Sequence, residues 1–340
     1  MPDQQKLNRV TMQDVARAAG VSQSKVSFVL NGNKDVHIAE ATRERIIRTA
    51  NGLGYKARST GRARKRGVET PFMGFLIDEI ATSIFGAISI EGAQEAAWKA
   101  GYVLDVAMTG GDQAYEQVVL DRWTEDGVTG VIYASILTRS VTPPNYLKPK
   151  NTVLLNCFSE DAAYTSVVPS EVLGGFNATE ALIDAGCQRI AFIGGEEWMD
   201  AAQDRMEGFR NALSSNDMRP SPSFIESGNF LPSGGYDATR RLLEQQPQPD
   251  GIFCANDLMA IGAYQAIKEA GMKIPEDIRI VGYDDQELAR HLTPPLTSVL
   301  LPHREMGQWA VNWLATKSET NTLSPKTIKL ECPLVRRLSA

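Results

Sequence analysis

The chain has 340 residues, 43% of them hydrophobic and 22% charged, with a formal net charge of -6 at pH 7. That length exceeds what one hydrophobic core ordinarily covers, so two or three domains are expected. No apolar run approaches the roughly 18 residues that span a bilayer, and residues 1–8 lack the apolar stretch of a secretory signal; the expected location is the cytoplasm, with no membrane contact. The four cysteines, Cys157, Cys187, Cys254 and Cys332, stand at least 30 residues apart. They show no ligand-like spacing, so they read as reduced core thiols, and neither a metal nor a cofactor is expected.

The net charge conceals an asymmetry. Residues 1–70 hold 14 Lys and Arg against 6 Asp and Glu, a net of +8, whereas residues 71–340 hold 21 against 35, a net of -14. A basic end on an acidic molecule attracts phosphate locally while the remainder repels it.

In the basic part, residues 12–19 are Ala-rich, with Val15, Ala16 and Ala19 at helical spacing, and Gly20 breaks the pattern. Ser22 is a good N-cap for a second helix that runs to Leu30. Two short helices joined by a Gly-containing turn match a DNA-binding helix-turn-helix. On the second helix Val26, Val29 and Leu30 share an inward face, and Ser24, Phe28 and Asn31 share the face a major groove would meet. A third helix over 42–53, with Ile46, Ala50 and Leu53 in register and Gly54 as its stop, closes a small all-α core.

The motifs Val10-Thr11, Asp14-Val15-Ala16, Ala19 to Ser22, Val26-Ser27, Val29 to Gly32, Thr42-Arg43 and Leu53-Gly54-Tyr55 resemble the N-terminal module of the lactose-repressor/galactose-repressor (LacI/GalR) family of transcription regulators. The resemblance implies that Thr11, Gln13, Lys25, Ser27 and Asn31 touch phosphates or position the module. It implies that Gln23, Ser24 and Phe28 face base edges, with Ser22 at the same DNA-facing end. This chain carries Lys25 and Phe28 where the family usually has Thr and Arg. A Phe meets a thymine methyl and cannot hydrogen-bond guanine, so an altered operator half-site is expected. The organisation expected is an arm over 1–9, the DNA-binding domain over 10–56, a basic linker over 57–70 and an effector-binding and dimerisation body over 71–340.

The linker departs from the family as well. Ala57, Arg58 and Arg64 occupy its usual Pro, Asn and minor-groove Leu positions. Arg62 and Arg64 then either grip phosphates or enter a narrow minor groove, or belong to a solvated tether. Either way DNA affinity should fall steeply with salt.

From Phe72 onward apolar strands alternate with amphipathic helices. Strands are expected at 72–77, 103–107, 130–133, 153–155, 189–193, 251–254, 278–282 and 298–301. Helices are expected at 86–100, 114–125, 172–185, 201–214, 235–244, 258–270 and 305–315. So many units predict an α/β body of two doubly wound parallel-sheet lobes. Markers such as Arg189 to Gly194, Asp204-Arg205, Ala255-Asn256-Asp257 and Val281 to Asp285 resemble the periplasmic-binding-protein-like sensor of the same family.

Arg205 stands in a turn or helix just beyond a strand, and Asn256 and Asp284 follow strand ends, the edge where open α/β sheets bind ligands. Arg, Asn and Asp donate to and accept from adjacent hydroxyls, and the resemblance implies ligand contacts at all three. Phe230, Phe85 and Trp198 are candidate stacking rings, and Asn156 is a further polar candidate. The alternative roles are helix caps, favoured for Asp257, and a plain surface ring for Trp198. Leu301 stands where a ligand-contacting Gln is common in the family, and Pro169 where some sugar sensors have an aromatic. The carboxylates of Glu196 and Glu197 favour a hydroxyl-rich ligand over an anion.

An enzyme is not expected. No Gly-x-Ser-x-Gly elbow or phosphate loop appears, and His37, His291 and His303 lack motif partners. A transport binding protein would need an export signal in place of the basic head. The expectation is therefore a repressor that binds a pseudo-palindromic double-stranded operator as a homodimer and is controlled by a small effector, a carbohydrate in first place. A purine-like metabolite or a partner protein is the alternative controller.

Overall fold

The structure, a computed structural model, describes residues 10–30, 38–53, 55, 70–80, 84–317 and 325–340. The chain divides into two compact units, Met1–Glu69 and Thr70–Ala340.

In the first unit, α1 (Met12–Ala19), α2 (Gln23–Leu30) and α3 (Glu40–Gly52) surround a core of Val15, Ala16, Ala19, Val26, Val29, Ile46 and Ala50. A capping box starts α1: Asp14 N donates to Thr11 Oγ1 at 3.3 Å while Thr11 N donates to the Asp14 carboxylate at 2.9 Å. Gly20 ends it in the left-handed region at φ 64°, where a side chain would be strained. That turn sets α2 across α1.

The second unit contains two six-stranded sheets. In the first, β1 (Phe72–Ile77), β2 (Val103–Met108), β3 (Gly130–Ser140), β4 (Thr152–Phe158), β5 (Thr165–Pro169) and β11 (Thr327–Leu330) run in the order β11-β5-β4-β3-β1-β2. In the second, β6 (Ile190–Gly194), β7 (Ile225–Ser227), β8 (Gly251–Cys254), β9 (Arg279–Asp284), β10 (Thr297–Leu300) and β12 (Leu334–Val335) run in the order β12-β10-β9-β8-β6-β7. Every pairing is parallel except β10 with β12. Parallel strands need crossovers, here α4 (Ile84–Lys99), α5 (Gln113–Glu125) and α10 (His303–Lys317) in the first lobe and α6 (Glu171–Asp184), α7 (Asp200–Ser215), α8 (Pro232–Leu243) and α9 (Asp257–Glu269) in the second. Among the described residues no helix is long and apolar enough to cross a membrane.

The eight expected strands are present, with β3 reaching seven residues further than its apolar run. Four others, β5, β7, β11 and β12, add to them. β7 is three residues long and only half buried, and β11 pairs with β5 from more than a hundred residues further along the chain; neither leaves a local periodic signal. The chain therefore passes between lobes three times, at 170, at 301–302 and at 331–333. All three crossings follow strand ends, and the C-terminal edges of the two sheets face one another across a cleft.

Candidate functional site

On the helix-turn-helix, Ser22, Gln23, Ser24 and Lys25 are all exposed, and Phe28 is half buried one turn further along. Ser22 caps α2, its Oγ accepting from Lys25 N at 3.4 Å. Val26 and Val29 are fully or nearly fully buried, so the opposite face of α2 is the more exposed one. Gln13 is exposed on α1 and Ser27 half buried on α2. The Thr11 hydroxyl donates to the Asp14 carboxylate at 2.7 Å, and this bond leads the causes that hold the Asp14 carboxyl below its ordinary range. Asn31, Arg62 and Arg64 lie outside the described residues.

The second site is a cavity of about 350 Å³ between the lobes of the body. Its walls come from the C-terminal ends of strands and from segments that follow them. Phe85, Ile136 to Thr138, Asn156 and Pro169 belong to the first lobe, and Arg205, Phe230, Asn256, Asp284 and Gln286 to the second. Three of its residues, Asn156 (φ 56°), Phe230 (φ 58°) and Asp284 (φ 101°), hold positive φ without being glycine. Such strain persists only where surrounding contacts over-determine it, and it gathers at binding sites.

Close helix packing builds the charged end of the cavity. A Cβ on Gly208 of α7 would meet the Val172 carbonyl of α6, and one on Gly175 would meet the Arg205 backbone. That approach brings Arg205 onto Glu171 in the first turn of α6. Arg205 Nε and Nη2 donate to the two Glu171 oxygens at 2.9 and 3.0 Å, Nη1 donates to Ala255 O at 2.6 Å, and the guanidinium lies 3.8 Å over the Tyr283 ring. Asp284 Oδ1 stands 3.5 Å from Nη1. Burial outweighs the attraction of Arg205 and pushes the Asp284 carboxyl up to about 7; the nearby Asp257 is pushed up by burial as well. Two carboxylates thus face one guanidinium.

Phe85 stacks on His303 with ring centroids 4.8 Å apart, and Phe230 forms part of the wall contributed by the other lobe. Phe230 is held by Asn256, whose Nδ2 donates to the Phe230 carbonyl at 3.0 Å. Burial lowers the His303 imidazole to about 3, so its ring is neutral at pH 7, and its Nδ1 lies 3.3 Å from Ser89 Oγ. Asn156 accepts from Thr138 Oγ1 at 2.7 Å and donates to Ser135 O at 3.0 Å.

Arg205, Asn256, Asp284, Phe230, Phe85 and Asn156 therefore share one cavity. Trp198 does not. It is 67% exposed and its indole N–H donates to Glu196 at 2.7 Å, while its neighbour Met199 lines the wall. Glu196 and Glu197 stay outside too, and the carboxylates that line the cavity are Glu171 and Asp284. The cap also moves. Asn256, with Oδ1 accepting from Met259 N at 2.8 Å, caps α9, and Asp257 instead accepts from Ser298 Oγ and Gln286 N. Glu171, Gln286, Thr138 and His303 escaped the sequence reading. His303 follows the Leu301-Pro302 crossover, a position that could have signalled it.

A helix-turn-helix head and a body with a cavity between two lobes are the architecture of a ligand-controlled DNA-binding regulator. Residues 11–57 match the bacterial regulatory proteins of the lacI family, and residues 179–340 match the periplasmic binding protein-like domain. The chain is similar to the ribose operon repressor of Haemophilus influenzae, 34% identical over 97% of this chain and 98% of that protein. It is 30% identical to the HTH-type transcriptional repressor PurR of Vibrio atlanticus over 96% of this chain and 97% of the relative. The lac repressor dimer bound to operator and the anti-inducer ONPF superposes with a TM-score of 0.66 at 25% identity, covering 98% and 99% of the two chains. The chain belongs to the LacI family of transcriptional repressors.

Proposed function

We propose that the effector is a small neutral polyol of monosaccharide size and that Arg205, Asp284, Asn256, Asn156, Phe85 and Phe230 form its site. The observation that carries this reading is the charge count in the cavity: Glu171 already occupies Nε and Nη2 of Arg205, and Asp284 remains to accept from a hydroxyl. An anion would meet two carboxylates. A cavity of about 350 Å³ lies near the lower end of the ~300–1,000 Å³ span of small-molecule sites, which suits one sugar ring between apolar walls. The ribose operon repressor is a relative whose name fits a sugar; the aromatic walls also suit a purine, in keeping with the PurR relative.

A ligand that binds only the folded state raises the unfolding midpoint by mass action. Thermal unfolding of the full chain against pentoses, hexoses, sugar phosphates and purines is expected to show a shift with one neutral sugar class that is lost in Arg205→Ala. A shift with purines alone would replace the sugar, and no shift with any compound would favour control by a partner protein.

The remaining parts of the reading follow the same regulator. The domains are the arm 1–9, the head 10–56, the linker 57–70 and the body 71–340, and the protein acts in the cytoplasm. Thr11, Gln13, Lys25, Ser27 and Asn31 touch phosphates or position the module, with Ser22 beside them, Gln23, Ser24 and Phe28 read bases, and Arg62 and Arg64 of the linker grip phosphates or enter a narrow minor groove. One small head is a weak reader, and two heads on a homodimer match a two-fold operator. Selection from random DNA is expected to yield a half-site with a T·A pair opposite Phe28, and Phe28→Arg to shift that position towards G·C. Recovery of the same half-site by both proteins would sink the assignment.

A further inference from the structure

The first lobe has a second cavity, of about 570 Å³, that is separate from the interlobe site. Its strand order reverses between β1 and β3, because the chain runs from β1 out to β2 and then returns to the other side of β1. Open α/β sheets bind ligands at such a reversal, outside the strands' C-terminal ends. The crevice lies there, between Asp78 after β1, Tyr133 to Ser135 on β3, the first turns of α5 and the segment 141–146. Residues 136–138 turn the other way and line the interlobe cavity, so one strand end walls two compartments.

Most polar groups of the crevice are already satisfied. Asp78 accepts from Ser135 Oγ at 2.8 Å, Ile136 N at 3.0 Å, Glu79 N at 2.9 Å and Arg139 Nη2 at 2.9 Å. Arg139, the one guanidinium in the lining among the described residues, is thereby committed. Asp112 caps α5, accepting from Ala114 N and Tyr115 N, which removes the free amides an anion would seek at a helix start.

Glu116 is the exception. Its residue is only 4% exposed, and Oε1 accepts from Thr109 Oγ1 and Tyr133 Oη, both at 3.3 Å. Among the described residues no donor bonds Oε2 and no cation pairs with the carboxylate. A buried carboxylate without a cation is costly; its pKa is raised, chiefly by burial and further by Asp78 and Asp112. Among the described residues, Asp78 and Glu116 line the crevice with Arg139 as its cationic side chain, and Asp112 and Asp121 stand near enough to act on Glu116 and Tyr146 respectively.

We propose that this crevice binds a small organic cation, whose ammonium group pairs with the open side of the Glu116 carboxylate and whose carbon chain lies against Tyr133, Tyr146 and Pro144. Arg139, the cationic side chain among the described lining residues, is held by Asp78 and leaves the Glu116 carboxylate without a cation.

The test is thermal unfolding of the full chain, without effector and at physiological salt, with putrescine as the diamine probe. The control is 1,4-butanediol, which keeps the chain length and both terminal donors and lacks the charge. Expected is a saturable rise of the midpoint with putrescine, none with the diol, and loss of the rise in Glu116→Gln. Gln113→Lys places an ammonium one turn from Glu116, at a spacing that permits an ion pair, and is expected to abolish the putrescine response by occupying the site. An equal response to diamine and diol, a putrescine response that survives in Glu116→Gln or Gln113→Lys, or no response to putrescine would each overturn the proposal.

Discussion

Asp284 stands at the C-terminal end of β9 with φ 101°, buried and beside Arg205. Its carboxyl, pushed up to about 7 by burial, titrates well above the ~3.9 of an aspartate in an unfolded chain. Between about pH 4 and pH 7 the native state therefore holds a proton that the unfolded chain has released. The stability this contributes is complete below that window and is lost as pH rises through it. In Asp284→Asn the midpoint is expected to decline less across that window, while Asp257, raised by the same burial, keeps its own share in both proteins. Effector affinity should run the opposite way, rising through pH 7 as the carboxylate becomes free to accept a hydroxyl, and this dependence should vanish in Asp284→Asn. Calorimetric titrations at pH 6 and pH 8 would decide it, and equal pH dependence in the two proteins would remove Asp284 from the site.

At the scale of elements, the contact of α6 with α7 is what makes the charged end of the cavity. Gly208 and Gly175 let the backbones approach until Glu171 and Arg205 share a bidentate ion pair. Gly208→Ala forces the helices apart, an overpacking cost of about 1–3 kcal/mol. The expected outcome is a lower unfolding midpoint together with weaker effector binding, measured by urea unfolding and by calorimetric titration. A destabilised variant with unchanged affinity would separate the helix contact from the site. The head's elements were legible because its signals are local: the Thr11 to Asp14 capping box, the Gly20 stop and the Ser22 cap all lie within a few residues of the helix they delimit. Glu171 was not legible, since its role depends on a residue 34 positions away. Trp198 was misplaced for the converse reason, as a local loop position does not reveal which way the ring turns.

At the scale of the whole molecule, β2 is an edge strand whose outer side has no strand partner among the described residues. Its Val106 and Met108 are exposed, as are Ile84 and Trp98 of the helix that packs on the same face and Tyr115 and Val118 of α5. An exposed edge with apolar side chains is a surface that proteins ordinarily cover, which fits the proposed homodimer. Val106→Asp combined with Met108→Asp is expected to give a monomer in analytical ultracentrifugation and to lose operator affinity by at least about tenfold, since one head keeps only half the contacts. A stable dimer in that variant would place the interface elsewhere.

The amino-acid sequence by itself determined the basic head, the acidic body, the helix-turn-helix with its caps and the eight principal strands. These are read from periodicity, caps and strand ends, and all of them act within one element or at its border. Only the tertiary structure decided that the chain passes three times between two lobes, that Asn256 and not Asp257 caps α9, and that Glu171 and His303 belong to the cavity. It also exposed the crevice around Glu116. Each of those depends on side chains brought together across long stretches of chain, and neither hydrophobic period nor turn chemistry carries information over such distances.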